Sequence, residues 1–166
     1  MTIIEKITPC IWFDSEAEEA ARFYVSIFKD SGIDTITHYG KEGFERHRKP
    51  AGSVLTVTFR LEGQTFTALN GGPVFAHSPA VSFVVHCDSQ AEVDHFWARL
   101  GEGGDPAAQQ CGWLKDRFGL SWQVVPKAVF VMLTDKDPSK SDRVMKAVLQ
   151  MKKLDLPTLE RAHAGE

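Results

Sequence analysis

The chain has 166 residues and a formal net charge of −3 at pH 7, a length that fits one domain or two half-domains sharing a core. The mild negative charge gives no electrostatic support for binding to nucleic acid or to an anionic membrane, and no apolar run approaches the roughly 20 residues of a membrane-spanning helix. Because the first six residues lack the basic-then-apolar order of a signal peptide, we expect a cytoplasmic protein.

The first half of the chain predicts a strand, a helix and then further strands. Residues 7–13 are typical of a buried strand, and Asp14 or Ser15 can cap the helix that follows. The apolar stripe of this helix consists of Ala20, Phe23, Tyr24, Ile27 and Phe28. We then expect a short strand at 33–39, an exposed loop at 41–52, and a hairpin of strands 53–61 and 65–69.

The second half predicts a similar order. Residues 81–87 form a strand, and Asp88 or Ser89 caps a helix with the apolar face Val93, Phe96, Trp97 and Leu100. Strands at 110–115 and 120–125 flank a turn at 116–119. After Asp137, which precedes a proline at the first helical position, a tail helix carries the stripe Val144, Ala147, Val148 and Met151. Residues 156–162 add a further helical turn.

A repeated segment relates the two halves. Asp14-Ser15-Glu16-Ala17-Glu18 recurs as Asp88-Ser89-Gln90-Ala91-Glu92, and each copy follows an apolar run and precedes a helical pattern. The repeat indicates duplication of a half-domain, with a cleft between the halves as the expected ligand site. We therefore expect an α+β fold with one module at 1–75, a second at 76–130 and a helical extension at 131–166.

Long motifs in both halves resemble the vicinal-oxygen-chelate superfamily, which includes glyoxalase I, bleomycin-resistance proteins and extradiol dioxygenases. Within it the chain is similar to the PhnB-like group, often labelled 3-demethylubiquinone-9 3-methyltransferase. The motifs are residues 7–14, Ala17 to Ala20, Phe23-Tyr24, residues 69–73, residues 82–85 with Cys87-Asp88 and, most specifically, residues 111–126. The resemblance implies two βαβββ modules that form a curled mixed sheet cleft, with C-terminal helices added. It also implies a homodimer. The apolar stripe of the tail helix is then buried either by the partner subunit or by packing within the chain.

The resemblance places metal-ligand positions at Thr8, Ser82 and Gln123, with Ala68, Leu69 or Asn70 on the last strand of the first module. These side chains are neutral, whereas a divalent cation requires imidazole, carboxylate or thiolate ligands. We therefore expect no chelated metal. No glycine-rich turn follows a strand, so we also expect no cofactor, and the methyltransferase label gains no support from the sequence.

Strand alternation predicts which side chains line the cleft. If the implied ligand positions point inward, Thr8, Cys10 and Trp12 line it from one strand, and Ser82, Val84 and His86 from another. Gln123 is either an amide that orients a ligand or a buried amide satisfied by a neighbouring strand.

The aromatic and sulfur-containing candidates complete the predicted set. Trp12 and Trp113 are either walls of the cleft or parts of the core, and Asn70 is expected at the rim. His86 and Cys87 should face opposite ways, which argues against a catalytic dyad, and the catalytic residues stay unknown. Three widely spaced cysteines argue against a disulfide framework.

Two functions remain open from the sequence. The first is binding of a small, partly apolar molecule in the cleft, without a chelated metal. The second is a metal-independent enzyme that acts on a small metabolite. Retention of polar and aromatic side chains where metal ligands are lacking favours binding.

Overall fold

The computed structural model describes residues 5–166 and divides the chain into two units, one ending at His77 and the other running from Ser78 to Glu166. The first four residues of the predicted first module lie outside the described residues. The first unit contains β1 (Cys10–Phe13), α1 (Ala17–Val25), β2 (Gly32–His38), the short helix α2 (Phe44–His47), β3 (Val54–Leu61) and β4 (Gln64–Asn70).

The first unit is a four-stranded sheet in the order β1-β4-β3-β2, with β1 parallel to β4 and the other pairs antiparallel. The predicted apolar stripe of α1 packs on one face of this sheet, and Ala20, Ala21 and Tyr24 are fully buried. Strand residues on that face, such as Phe59 and Ala68, are buried as well. The opposite face carries threonines from three strands: Thr35, Thr37, Thr56, Thr58 and Thr67.

The second unit contains β5 (Ser82–Cys87), α3 (Gln90–Gly101), a 3-10 turn (Pro106–Ala108), β6 (Trp113–Lys115), β7 (Ser121–Pro126), α4 (Lys127–Leu133), α5 (Pro138–Val148) and α6 (Leu156–Ala164). Its sheet has the order β5-β7-β6, with β5 parallel to β7. The strand–helix–strand order of the first unit recurs, so the predicted α+β fold is confirmed, with sheets of four and three strands.

The second unit has its 3-10 turn between α3 and β6, where the first unit has β2. Gly101, Gly103, Gly104 and Pro106 dominate this connection, and glycine and proline are poor strand formers. Asp105 accepts a hydrogen bond from the backbone of Ala107 at 2.9 Å and so caps the turn.

The C-terminal helices pack within the second unit. Their shared core consists of Val125, Val129, Met132, Val144, Val148, Leu154 and Leu159. The backbone N–H groups of Cys111 and Gly112 donate to the carbonyls of Met151 and Lys152 at 2.8 and 2.7 Å, which joins the extension to the start of β6. The sequence left open whether the tail stripe is buried by a partner subunit or within the chain. Val144 and Val148 are buried within the chain.

None of the helices within residues 5–166 combines the length and the apolar character needed to cross a membrane.

Candidate functional site

One face of the second unit's sheet brings together most of the residues predicted to bind a ligand. Gln123 lies in the middle of β7, with Val84 of β5 opposite it on one side and Trp113 of β6 on the other. Side chains alternate along a strand, so this row and its neighbours two residues away share a face. We call this surface the site face; it carries Ser82, Val84, His86, Trp113, Lys115, Ser121, Gln123 and Val125.

The polar centre of the site face is a pair of side chains from neighbouring strands. Gln123 Nε2 donates a hydrogen bond to Ser82 Oγ at 3.0 Å, and both residues are partly buried. Within residues 5–166, no protein donor is paired with Gln123 Oε1. The pair therefore keeps an acceptor oxygen and the Ser82 hydroxyl proton for a ligand.

Ser121 adds a second hydroxyl to this face. Its side chain is 1% exposed, and its Oγ has no hydrogen-bond partner among the described residues. Buried polar atoms are normally hydrogen-bonded, and an unpaired one is costly. Ser121 lies in one row with Ser82 and with Lys115, whose side chain is half-buried. A ligand oxygen at the open part of this row would find donors from Ser82 and Lys115, whereas the Ser121 hydroxyl is enclosed beneath them.

The borders of the polar centre are apolar and aromatic. Trp113 is half-buried beside Gln123, and Val84 is 40% exposed on the other side. His86 is exposed at the end of the face, and its ring centroid lies 5.1 Å from that of Phe130 in α4. The site face therefore combines a neutral polar centre with aromatic edges, which suits a small molecule with both polar and apolar parts.

His86 and Cys87 point to opposite faces of β5, as the alternation predicts. Cys87 is 1% exposed on the side of α3, and burial, followed by the nearby Glu92 and Asp88 carboxylates, raises the pKa of its thiol to about 12. The thiol is therefore protonated at neutral pH and is a poor nucleophile.

The residues predicted from the first unit have contacts of their own. Trp12 lies on the sheet face opposite α1, its Nε1 donates to the carbonyl of Gly72 at 2.8 Å, and its ring meets that of Phe75 edge-on at 5.0 Å. A side chain at Gly71 would collide with the Trp12 ring, so glycine is required there. Thr8 is half-buried just before β1. Ligand contacts for Thr8 and Trp12 stay predictions.

Asn70 lies on the helix side of its sheet, opposite Phe13 in the register. It is 5% exposed, its Oδ1 accepts from the backbone N–H of Ala17 at 2.8 Å, and its Nδ2 donates to the carbonyl of Val54 at 3.1 Å. Both ends of the amide are thus hydrogen-bonded within the first unit, and a contact with a ligand at a rim stays a prediction.

The positions implied for metal ligands do not fit a divalent cation. Thr8, Ser82 and Gln123 offer only neutral oxygen and nitrogen atoms, which bind such cations weakly. Residues 5–166 contain no cluster of three His, Cys, Asp or Glu side chains arranged to hold a metal ion.

Sequence reasoning missed Lys115, Ser121 and Val125 of this face, and also Phe130, which lies beside it in α4. Ser121 has the same strand parity as Gln123, so alternation along β7 would have found it. Phe130 belongs to a helix with no counterpart in the repeat, and no sequence pattern connects it with His86.

The chain resembles several known proteins along most of its length. A family model described as 3-demethylubiquinone-9 3-methyltransferase matches residues 5–125. The structure of a putative 3-demethylubiquinone-9 3-methyltransferase, PhnB protein, from Bacillus cereus is 33% identical, with a TM-score of 0.62 over 74% of this chain and 99% of that one. Protein PA1353 from Pseudomonas aeruginosa is 20% identical, with a TM-score of 0.56 over 74% of this chain and 98% of that one. The comparison with curated proteins gave no match.

The paired strand–helix units and these matches define a protein of the vicinal-oxygen-chelate superfamily, as the sequence motifs predicted. Within that superfamily, the chain belongs to the PhnB-like family described as 3-demethylubiquinone-9 3-methyltransferase.

Proposed function

We propose that this protein binds a small, partly apolar molecule on the site face of its second unit, without a chelated metal. The observation that carries the proposal is the half-buried Gln123–Ser82 pair beside the buried, unpaired hydroxyl of Ser121. The Gln123 amide and the Ser82 hydroxyl can hold a carbonyl or hydroxyl oxygen of a ligand by hydrogen bonds, while Trp113 and Val84 contact its apolar part.

The description of the matching family favours a second candidate, a metal-independent enzyme acting on a small metabolite. The polar centre supports binding better than catalysis, because a glutamine amide and serine hydroxyls do not act as general bases near neutral pH. A ligand that the protein returns unchanged after prolonged incubation supports binding, and conversion of that ligand supports the enzyme.

We further propose that the protein is a cytoplasmic homodimer. The composition supports the location, and the resemblance to the superfamily supports the dimer.

Replacement of Gln123 by leucine tests the binding proposal. The change keeps a similar volume but removes the amide, so a ligand oxygen loses one hydrogen bond, and affinity should fall by about three- to tenfold or more. The probe is prodan, a neutral planar naphthalene ketone, titrated by its own fluorescence with protein purified without added metal.

Gln150→Leu is the matched control, since Gln150 is exposed in the extension and its side chain makes no hydrogen bond among residues 5–166. The proposal is supported if only Gln123→Leu weakens the binding of prodan. Equal affinities for wild type and Gln123→Leu would show that Gln123 belongs to the core and that ligands bind elsewhere.

Elemental analysis tests the proposed lack of a chelated metal. Protein purified without chelator should carry no stoichiometric Zn, Ni, Mn or Fe, because the available donors are neutral. A stoichiometric metal that is lost in Gln123→Ala would contradict the proposal.

A further inference from the structure

We propose that helix α4 (Lys127–Leu133) completes the binding site, with Phe130 as a specificity-determining residue that contacts a planar apolar group of the ligand. This inference rests on the proposed binding function of the site face. It adds a ligand class: molecules that carry a hydrogen-bonding oxygen at one end and a flat apolar group at the other.

Helix α4 lies beside the last row of the face that carries the polar centre. Val125 shares the face of Gln123 because the two residues are two positions apart on β7. Val125 is buried in the core that also contains Val129 and Met132 of α4 and Val144 of α5. Helix α4 thus borders the row of His86 and Val125, while the row of Val84, Gln123 and Trp113 stays partly open.

Phe130 lies beside the row of His86 and Val125. Its ring contacts that of His86 at a centroid distance of 5.1 Å, yet 47% of the residue remains exposed. His86 is two positions beyond Val84 on β5, which corresponds to about 7 Å along the strand. The exposed Phe130 ring therefore lies beside His86, about 7 Å along β5 from the row that contains Val84 and Gln123.

The face between these points is apolar. Val84 is 40% exposed and lies in the row that separates Ser82 from His86. A flat group resting on Val84 would meet the ring of Phe130 at its far edge, where aromatic contacts add to the gain from burial. The hydrogen-bonding oxygen of the same molecule would then lie at Gln123 and Ser82.

Phe130 lies beyond the residues that the family model matches. The family match ends at residue 125, and α4 begins at Lys127. The B. cereus relative is covered over 99% of its length by 74% of this chain, so about a quarter of this chain has no counterpart there. Phe130 thus distinguishes the site face of this protein from that of a relative without the extension.

Prodan binding to wild type and three variants tests the inference. Phe130→Ala removes the ring and should weaken binding by about three- to tenfold. Phe130→Leu keeps apolar bulk without the planar ring and should cause a smaller loss, which guards against a folding defect in Phe130→Ala. Val131→Ala is the control, because Val131 is the neighbouring helix residue and is 73% exposed. Circular dichroism and the Tm of each variant are recorded alongside.

The outcomes separate this inference from the proposed function. Loss of affinity in both Phe130 variants, with wild-type affinity in Val131→Ala, supports the inference. Wild-type affinity in the Phe130 variants, with weakened binding in Gln123→Leu, overturns the inference and leaves the proposed function in place. Wild-type affinity in the Gln123 variant as well, or no prodan binding by the wild-type protein, overturns both.

Discussion

Asn70 shows how a single buried side chain can replace a local helix cap. The helix α1 begins at Ala17 after Glu16, and neither Asp14 nor Ser15 caps it by a side-chain hydrogen bond. Instead, the Asn70 amide on β4 accepts from the first helical N–H group, 53 positions away in sequence. One end of the helix is thereby fixed to the sheet, which a cap from within the preceding loop would not achieve.

Replacing Asn70 by leucine should lower the free energy of unfolding by about 1–3 kcal/mol, because the buried N–H of Ala17 loses its partner. Urea denaturation measures the change. Asn70→Asp is the informative companion, since a carboxylate oxygen still accepts at the helix N-terminus but cannot donate to the carbonyl of Val54. An unchanged unfolding free energy in Asn70→Leu together with weaker prodan binding would instead support the predicted rim role.

Asp116 is a second buried polar residue with a structural function. It is 2% exposed, and its carboxylate accepts from the backbone of Phe118 and Leu120 and from Trp122 Nε1 at 2.8 to 3.0 Å. These bonds shape the turn between β6 and β7. The turn sets the register in which Trp113 lies opposite Gln123, so a buried residue outside the site face determines the geometry of that face.

At the scale of secondary structure, the two copies of the repeated segment fold alike but begin their helices differently. Ser89 caps α3 by accepting from the N–H of Glu92 at 3.3 Å, while the Glu92 carboxylate accepts from the N–H of Asp88 at 2.8 Å. This arrangement was predictable, because serine followed three positions later by glutamate favours a helix start. The first copy has serine and glutamate at the same spacing, Ser15 and Glu18, but they form no such cap. The N–H of Ala17 donates to Asn70 instead.

The strands were predicted where alternation and β-branched residues agree. The predicted strand at 53–61 corresponds to β3, and that at 81–87 to β5. The strand at 7–13 is shorter than predicted and begins at Cys10. Pro9 lacks an N–H group to donate, although its carbonyl still accepts from Thr67 at 2.9 Å. Ends of elements depend on such partners, which sequence patterns do not reveal.

For the whole molecule, the extension decides how much apolar surface remains for other chains. Val144 and Val148 are buried inside the second unit, so this stripe no longer argues for a dimer. Met145 and Leu149 lie four positions apart on the outside of α5 and are 43% and 56% exposed. Together with the superfamily resemblance, this exposed pair supports the proposed homodimer.

Light scattering on the full chain tests the dimer. Because association follows mass action, a dilution series at micromolar concentrations should give twice the chain mass at the upper end. The monomer mass throughout the series would rule the dimer out.

The sequence by itself determined most of the strands and helices, the repeat and the superfamily, since hydrophobic periodicity and turn residues are local and the motifs are long. It did not reveal the helices α2 and α4. The resemblance implied that Gln123 and Ser82 face the same way and left Trp113 open between cleft wall and core, whereas the register of β5, β6 and β7 puts all three on one face. Only the tertiary structure decided that Asn70 caps α1, that Ser121 is buried without a partner, and that Phe130 stands over His86. Each of these depends on residues far apart in sequence meeting in space, and a pattern along one chain segment carries no information about such meetings.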